Sequence, residues 1–443
     1  MRAVWIVALL AHTANAQPPP DPYAPDPAQP PTKPENARGW QQEPEPEHVV
    51  VLGALGRGLQ ISGRFVVDVI AAPFRGIAWL EDHHHVLTRT RDLFYNEDHT
   101  AGILPSLSLE TGFGGSVGAS AFHKNLFGNG ERISLSGSYG GADRYAAQLK
   151  FERRAKAIGT SLYFNSRARY EAANNLFFEG IGNVSDGGPF AANGETRFGE
   201  QRVLATESMG VQLGAKERQV RLGLTYIFND RTLDQNVAST DTPIGDLYDV
   251  AMLEGFEGVR IHEATADAEL DLQSPSRGLN TRLVGFAGGA FGDGYKFAHW
   301  GAEAALYWTP WRAGRTFVVR LANEGVQGDV PFTDLPRLGG SGLLRGYRRD
   351  QFRDETIAIA TFEYQYPIQN SVSGTLFVET GKVGRTYDAL ASTKNLHTGY
   401  GGGLIVHTVE SIVLTLQIAY GDGLQFYATT DVWQAFRKRS REL

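Results

Sequence analysis

The sequence predicts an all-β fold, a 16-stranded antiparallel transmembrane β-barrel with a short helical N-terminal element, on three observations. From Gly102 to Phe436 the chain repeats runs of roughly ten residues that alternate apolar and polar side chains between Gly/Asn/Asp clusters, the pattern of outer-membrane barrels. Beyond the first residues no apolar run approaches the ~18–20 residues of a membrane-spanning helix, while Gly reaches 52 of 443 residues and aromatics 11%. A closed barrel is the other structure that satisfies every backbone group in lipid. Residues 1–16, finally, read as an address for export.

In that address Arg2 precedes the apolar run Ala3-Val-Trp-Ile-Val-Ala-Leu-Leu-Ala11, and Ala14-Asn-Ala16 supplies the small residues of a cleavage site. The mature chain would begin at Gln17. A membrane anchor is the competing reading, and so short an apolar run does not span a bilayer. Residues 17–48 hold 11 of the 20 prolines among Asp, Glu and Gln, which predicts a disordered periplasmic linker rather than a Pro-rich ligand. Over 49–98, Phe65, Val66, Val69 and Ile70 recur at helical spacing, Pro73 interrupts, and Ile77, Trp79 and Leu80 resume before Arg89-Thr-Arg-Asp92. That spacing gives two short amphipathic helices.

The barrel is expected over 99–443, with strands centred on 103–111, 114–123, 131–140, 144–154, 158–168, 203–214, 218–229, 261–272, 279–291, 296–308, 315–326, 355–368, 373–384, 398–409, 411–421 and 424–436. In the last of these Leu424, Phe426, Ala428, Thr430, Val432 and Phe436 share one face, opposite Gln425, Tyr427, Thr429 and Asp431. Ala266, Ala268, Leu270 and Leu272 likewise oppose Glu263, Asp267, Glu269 and Asp271. Alternation alone does not say which face is outside; the export signal and the strand number favour apolar side chains toward lipid. Trp308, Trp311, Tyr364, Tyr366 and Trp433 fall near strand ends, where interfacial girdles sit. The chain has no Cys, which excludes a lipidated N-terminus, disulfides and thiolate metal sites, and its net charge of −7 speaks against nucleic acid.

One loop stands out. Leu338-Gly-Gly-Ser-Gly-Leu-Leu-Arg-Gly-Tyr-Arg-Arg-Asp-Gln-Phe-Arg-Asp354 separates the strand-like runs 317–321 and 357–366, and a loop this long between antiparallel strands is rarely idle. An Arg345 guanidinium inside a barrel needs a carboxylate, because an unpaired buried charge is costly and an Arg–carboxylate fork can be bidentate. Period-2 geometry turns Thr361, Glu363 and Gln365 to one face, and Phe377, Glu379 and Gly381 likewise. Glu363 and Glu379 are therefore expected to point inward beside the loop.

Leu344-Arg-Gly-Tyr347 resembles the Arg-Gly-Phe/Tyr signature that the BamA/TamA superfamily of outer-membrane barrel proteins, the bacterial surface antigen type, carries on a loop folded back into the barrel. Phe377-Val-Glu-Thr-Gly381 is similar to that superfamily's Phe-x-Asp-x-Gly pattern, with Glu379 in place of Asp. Phe178-Glu-Gly-Ile-Gly-Asn183 and a terminal strand ending on Phe436 extend the likeness. It implies that Arg345, Gly346 and Tyr347 are locked in place by Glu363, Phe377, Glu379 and Gly381. The chain departs from the pattern in two places. Residues 49–98 are too short and too helical for a periplasmic POTRA module, which predicts a POTRA-less member, and Arg437-Lys-Arg-Ser-Arg-Glu-Leu443 follows the terminal aromatic.

The resemblance implies a non-enzymatic protein of the Gram-negative outer membrane that takes part in inserting, assembling or translocating proteins. A weak seam between first and last strands, bounded by Gly112, Gly114 and Phe436, would template a client strand. Implied partners are outer-membrane lipids and lipopolysaccharide, client outer-membrane or secreted proteins, and a POTRA-bearing partner; no cofactor, metal or nucleic acid is called for. The alternative is a passive pore or surface antigen of the same fold, which would need the Arg345 lock as well. Gly114-Gly-Ser-Val-Gly118 matches a nucleophile-elbow string but lies in strand alternation. His83-His-His85 would diverge on a helix without a second ligand cluster. Asp267, Glu269 and Asp271 fit either a cation path or a hydrated wall.

Overall fold

The computed structural model describes residues 94–430 except 142–143, 158–159, 184–189, 191–193, 215–217, 236, 238–240, 275–277, 312–313, 370–371 and 408–411. The export signal, the Pro-rich linker, the helical element up to residue 93, His83–His85, Trp433, Phe436 and the basic tail lie outside the described residues. Sixteen strands close into one antiparallel barrel, each bonded to its neighbours in sequence and the last to the first. They are β1 (Ala101–Glu110), β2 (Gly114–Lys124), β3 (Glu131–Tyr139), β4 (Arg144–Ala157), β5 (Thr160–Phe178), β6 (Thr196–Leu213), β7 (Arg218–Asp234) and β8 (Val259–Ser274). The second half comprises β9 (Leu279–Gly292), β10 (Tyr295–Trp311), β11 (Arg315–Asp329), β12 (Thr356–Gln369), β13 (Val372–Gly384), β14 (His397–His407), β15 (Ile412–Tyr420) and β16 (Leu424–Thr429).

Alternation sets the two faces. Val117, Leu135, Leu224, Leu376 and Leu424 are exposed on the outside, whereas neighbouring positions such as Ser116, Thr225, Thr375 and Gln425 are buried toward the lumen. An apolar belt around a polar interior is the inverse of a soluble barrel and fits lipid outside. The strand positions match those the sequence predicts, with differences of extent: β7 runs on to Asp234, and of the last strand, expected over 424–436, the part beyond 430 lies outside the described residues. β5 runs on to Phe178 and β6 starts at Thr196, because a bulge between Ala173 and Leu176 breaks the period-2 signal and both faces beyond it are covered.

Both described chain ends lie at the rim where β6 passes to β7 and β12 to β13, and the opposite rim carries the longer connections 179–195, 235–258, 330–355 and 385–396. Long loops face outward in barrels of this kind. Three of these loops share an apolar cluster with the upper strand ends, centred on Phe332. Its ring meets Phe178 and Phe198 edge-on at 5.5 and 5.6 Å and stacks on Phe256 at 6.1 Å. An apolar cluster among the described residues thus sits at the rim of the long loops, where it ties them to the strand ends.

Candidate functional site: the inward loop and the seam

Loop 330–355 leaves β11 through a short 3-10 turn, Phe332–Asp334, and narrows where Arg337–Leu338 pairs antiparallel with Phe352–Arg353. The tip beyond this neck turns sharply because Gly339, Gly340 and Gly346 adopt φ of 120, 85 and 98°. Leu344 also sits at φ 68°, a conformation costing about 1–2 kcal/mol for a residue with a side chain. Burial offsets that cost. Leu338, Leu343 and Leu344 pack against Ile357, Ile359 and Val383 of β12 and β13, and burying one Leu contributes about 1.5–3 kcal/mol.

This seat delivers Arg345, 1% exposed, to two carboxylates. Its Nε and Nη2 donate to Glu379 Oε1 at 3.0 and 2.7 Å, and Nη2 also reaches Glu363 Oε2 at 2.9 Å. The Arg345 backbone N–H donates to the other Glu379 oxygen at 2.6 Å. Phe377 lies flat beneath, its ring centroid 3.4 Å from Cζ. Thr361 Oγ1 and Gln365 Nε2 donate to Glu379 and Glu363 at 3.3 and 2.8 Å, so the carboxylates are themselves held. Gly381 lets Leu338 and Leu344 approach, and a Cβ at Gly399 of β14 would overlap the Arg345 carbonyl. Tyr347 Oη accepts the Thr398 N–H at 3.1 Å and donates to the Thr398 carbonyl at 3.2 Å.

The Phe178–Asn183 stretch docks on the same loop. Arg348 Nη1 donates to Glu179 at 2.7 Å and pairs with Glu195 at 2.6 Å, and the Gly182 N–H donates to the Arg353 carbonyl at 2.8 Å. Arg353 was not singled out by the sequence. It is 1% exposed, donates to the Phe177 carbonyl at 2.9 Å and sits over the rings of Phe178 and Phe332. Burial, and then the neighbouring Arg337, push its pKa down to about 9. Nothing in an Arg-rich loop marks which arginine will be walled in by a distant aromatic cluster.

The inward carboxylates of the wall are paired. Glu269 bridges Arg221 and Arg282, Asp267 accepts from Thr225 Oγ1 at 3.2 Å, and His299 lies between Glu263 and Glu324 at 2.9 and 2.8 Å. A cross-braced wall, not a row of bare carboxylates, surrounds the loop. Gly114-Gly-Ser-Val-Gly118 lies within strand β2.

The seam closes through Ser108–Thr429, Leu109–Ala428 and Glu110–Tyr427 among the described residues, whereas β1 pairs β2 along its whole length. Gly112 lies in the β1–β2 turn and Gly114 follows it, at φ 76 and 84°, so they serve the turn beside the seam. The N–H and C=O of Leu107 both turn to Thr430. By alternation Pro105 presents its backbone to the same edge, and it has no N–H to offer. Pro inside a strand is a readable mark of an edge, one the sequence reading passed over.

The Omp85 superfamily domain matches residues 125–409. Among solved structures the chain is similar to BamA from Haemophilus ducreyi lacking POTRA domains 1-3, at 15% identity and a TM-score of 0.52, over 75% of this chain and 70% of that one. It is also similar to CdiB from Escherichia coli, at 11% identity and a TM-score of 0.51, over 74% of this chain and 62% of that one. No curated protein matches. Likeness at such identities carries the fold.

Proposed function

Because the chain belongs to the Omp85 superfamily, we propose that it takes part in insertion, assembly or translocation of proteins at the outer membrane of a Gram-negative cell, which it reaches through the export signal of residues 1–16. The observation that carries this reading is the packing of the long-loop rim, where Phe332 and its neighbours cluster while the Arg345 fork fixes a long loop on Glu379 and Glu363. A passive barrel of the same fold would keep the Arg345 lock too, but an open pore would leave unpacked the rim where this barrel clusters Phe332 and its neighbours.

The route is then lateral. Among the described residues the seam pairs Ser108–Glu110 with Tyr427–Thr429, and beside it Pro105 has no N–H to offer, so β1 is the edge to which a client strand adds by backbone hydrogen bonding. Lipids and lipopolysaccharide meet the apolar belt, and a POTRA-bearing partner delivers clients from the periplasm. The process is physical, and no bond of the client is made or broken.

Reconstitution tests it. Purified protein in liposomes should speed the folding of an added unfolded outer-membrane client, read by protease protection and heat-dependent gel mobility, with little steady conductance in planar bilayers. Steady ion conductance without any effect on the client would replace this reading with a passive pore.

A further inference from the structure

Glu110 ends β1 and Tyr427 lies opposite it on β16, in the register that closes the barrel. Both are buried on the lumen side. Each is engaged by the inward loop. Glu110 Oε1 accepts the backbone N–H of Ser341 at 3.0 Å, and Gly340 leaves no room for a Cβ beside that oxygen. Tyr427 Oη accepts the N–H of Gly346 at 3.1 Å and donates to the carbonyl of Tyr347 at 3.2 Å. On the β1 side the Arg349 guanidinium, with Glu110 among the charges around it, covers the Phe113 ring at 4.5 Å. On the β16 side the Asp422 N–H donates to the Gly346 carbonyl at 3.1 Å, and Gln351 Nε2 donates to Asp422 at 3.0 Å.

We propose that the loop tip is a staple across the seam, in which segment 341–346 ties the end of β1 to its partner on β16 and Glu110 and Tyr427 are positioning residues for lateral opening. The proposal rests on the reading that the seam admits a client. Six residues could reach about 20 Å if fully extended. This segment is not extended. Leu343 and Leu344 are packed in the tip's own core, and Arg345, in the same segment, is clamped by Glu379 and Glu363. The staple therefore gains slack only when the two leucines and the arginine leave their sites, which makes parting the seam and unseating Arg345 one event.

Hydrogen exchange of the full-length protein in membranes reads this directly, because the N–H groups of Leu107 and Thr111 are bonded across the seam. Tyr427→Phe removes two hydrogen bonds and should speed their exchange about tenfold, leaving the amides of β7 on the far wall unchanged. Arg345→Ala should do the same, and the double variant should be no faster than the faster single, since both release one staple. Glu110→Gln keeps an acceptor for Ser341 and should exchange as the wild type does; Glu110→Ala should not. If Tyr427→Phe fails to fold, the Glu110 pair carries the test alone. Wild-type exchange in both Tyr427→Phe and Glu110→Ala, or full additivity with Arg345→Ala, would overturn the staple. The readout needs no client, so a staple that responds in a protein that handles no client would sink the proposed function and leave this inference standing.

Discussion

Arg345 meets Glu379 twice, through its guanidinium and through its backbone N–H, so the residue is held even before Glu363 is counted. Geometry at neighbouring positions guards that contact. Gly399 faces the Arg345 carbonyl so closely that any side chain there must push the loop away. Gly399→Val should therefore unseat the tip without touching a charge, and trypsin should cut at Arg345, Arg348 or Arg349 in the variant while sparing the wild type, where Arg345 is buried. Continued resistance in a folded Gly399→Val barrel would contradict the tight approach. Arg345, Glu363 and Glu379 were legible in the sequence because strand alternation fixes which side chains face inward and a buried guanidinium demands acids. Tyr427 and Glu110 were legible only as inward residues, since what they bind depends on where a distant loop comes to rest.

Strands carry their membrane assignment in the outward face alone. On β7 the outward residues Leu222, Leu224 and Tyr226 are exposed while Thr225 and Ile227, on the alternate face, are buried. Leu224 stands near the middle of that apolar run, where an introduced Arg costs about 2–4 kcal/mol against lipid. Leu224→Arg should lower the urea midpoint of the barrel in bilayers, and Ser136→Arg, on the lumen-facing side of β3, should lower it much less. Equal losses at the two sites would mean that the belt does not face lipid. All sixteen strands were readable from alternation between turn-forming clusters. The true lengths of β5 and β6 were not, because the bulge after Ala173 resets the phase and aromatic burial on both faces erases it.

At the scale of the whole molecule, the apolar cluster of the long loops, the inward loop and the seam belong together. The apolar cluster around Phe332 joins three loops with no periodicity in their sequences, so nothing in the residue pattern foretold that they pack together. What joins the parts is one buried charge cluster. Removing Arg345 leaves two inward carboxylates without their cation, and breaking a buried pair costs about 3–5 kcal/mol, enough to free a loop yet small beside a closed ladder of sixteen strands. The most direct measurement is client folding in proteoliposomes by wild type, Arg345→Glu, Glu379→Arg and the double charge exchange, each first shown to be a folded barrel by heat-dependent mobility. Both single variants should fold but lose most of their client-folding rate, and the double variant should recover part of it. Full activity in Arg345→Glu, or a double variant no better than the worse single, would contradict the claim that this contact governs the loop and, through it, the function.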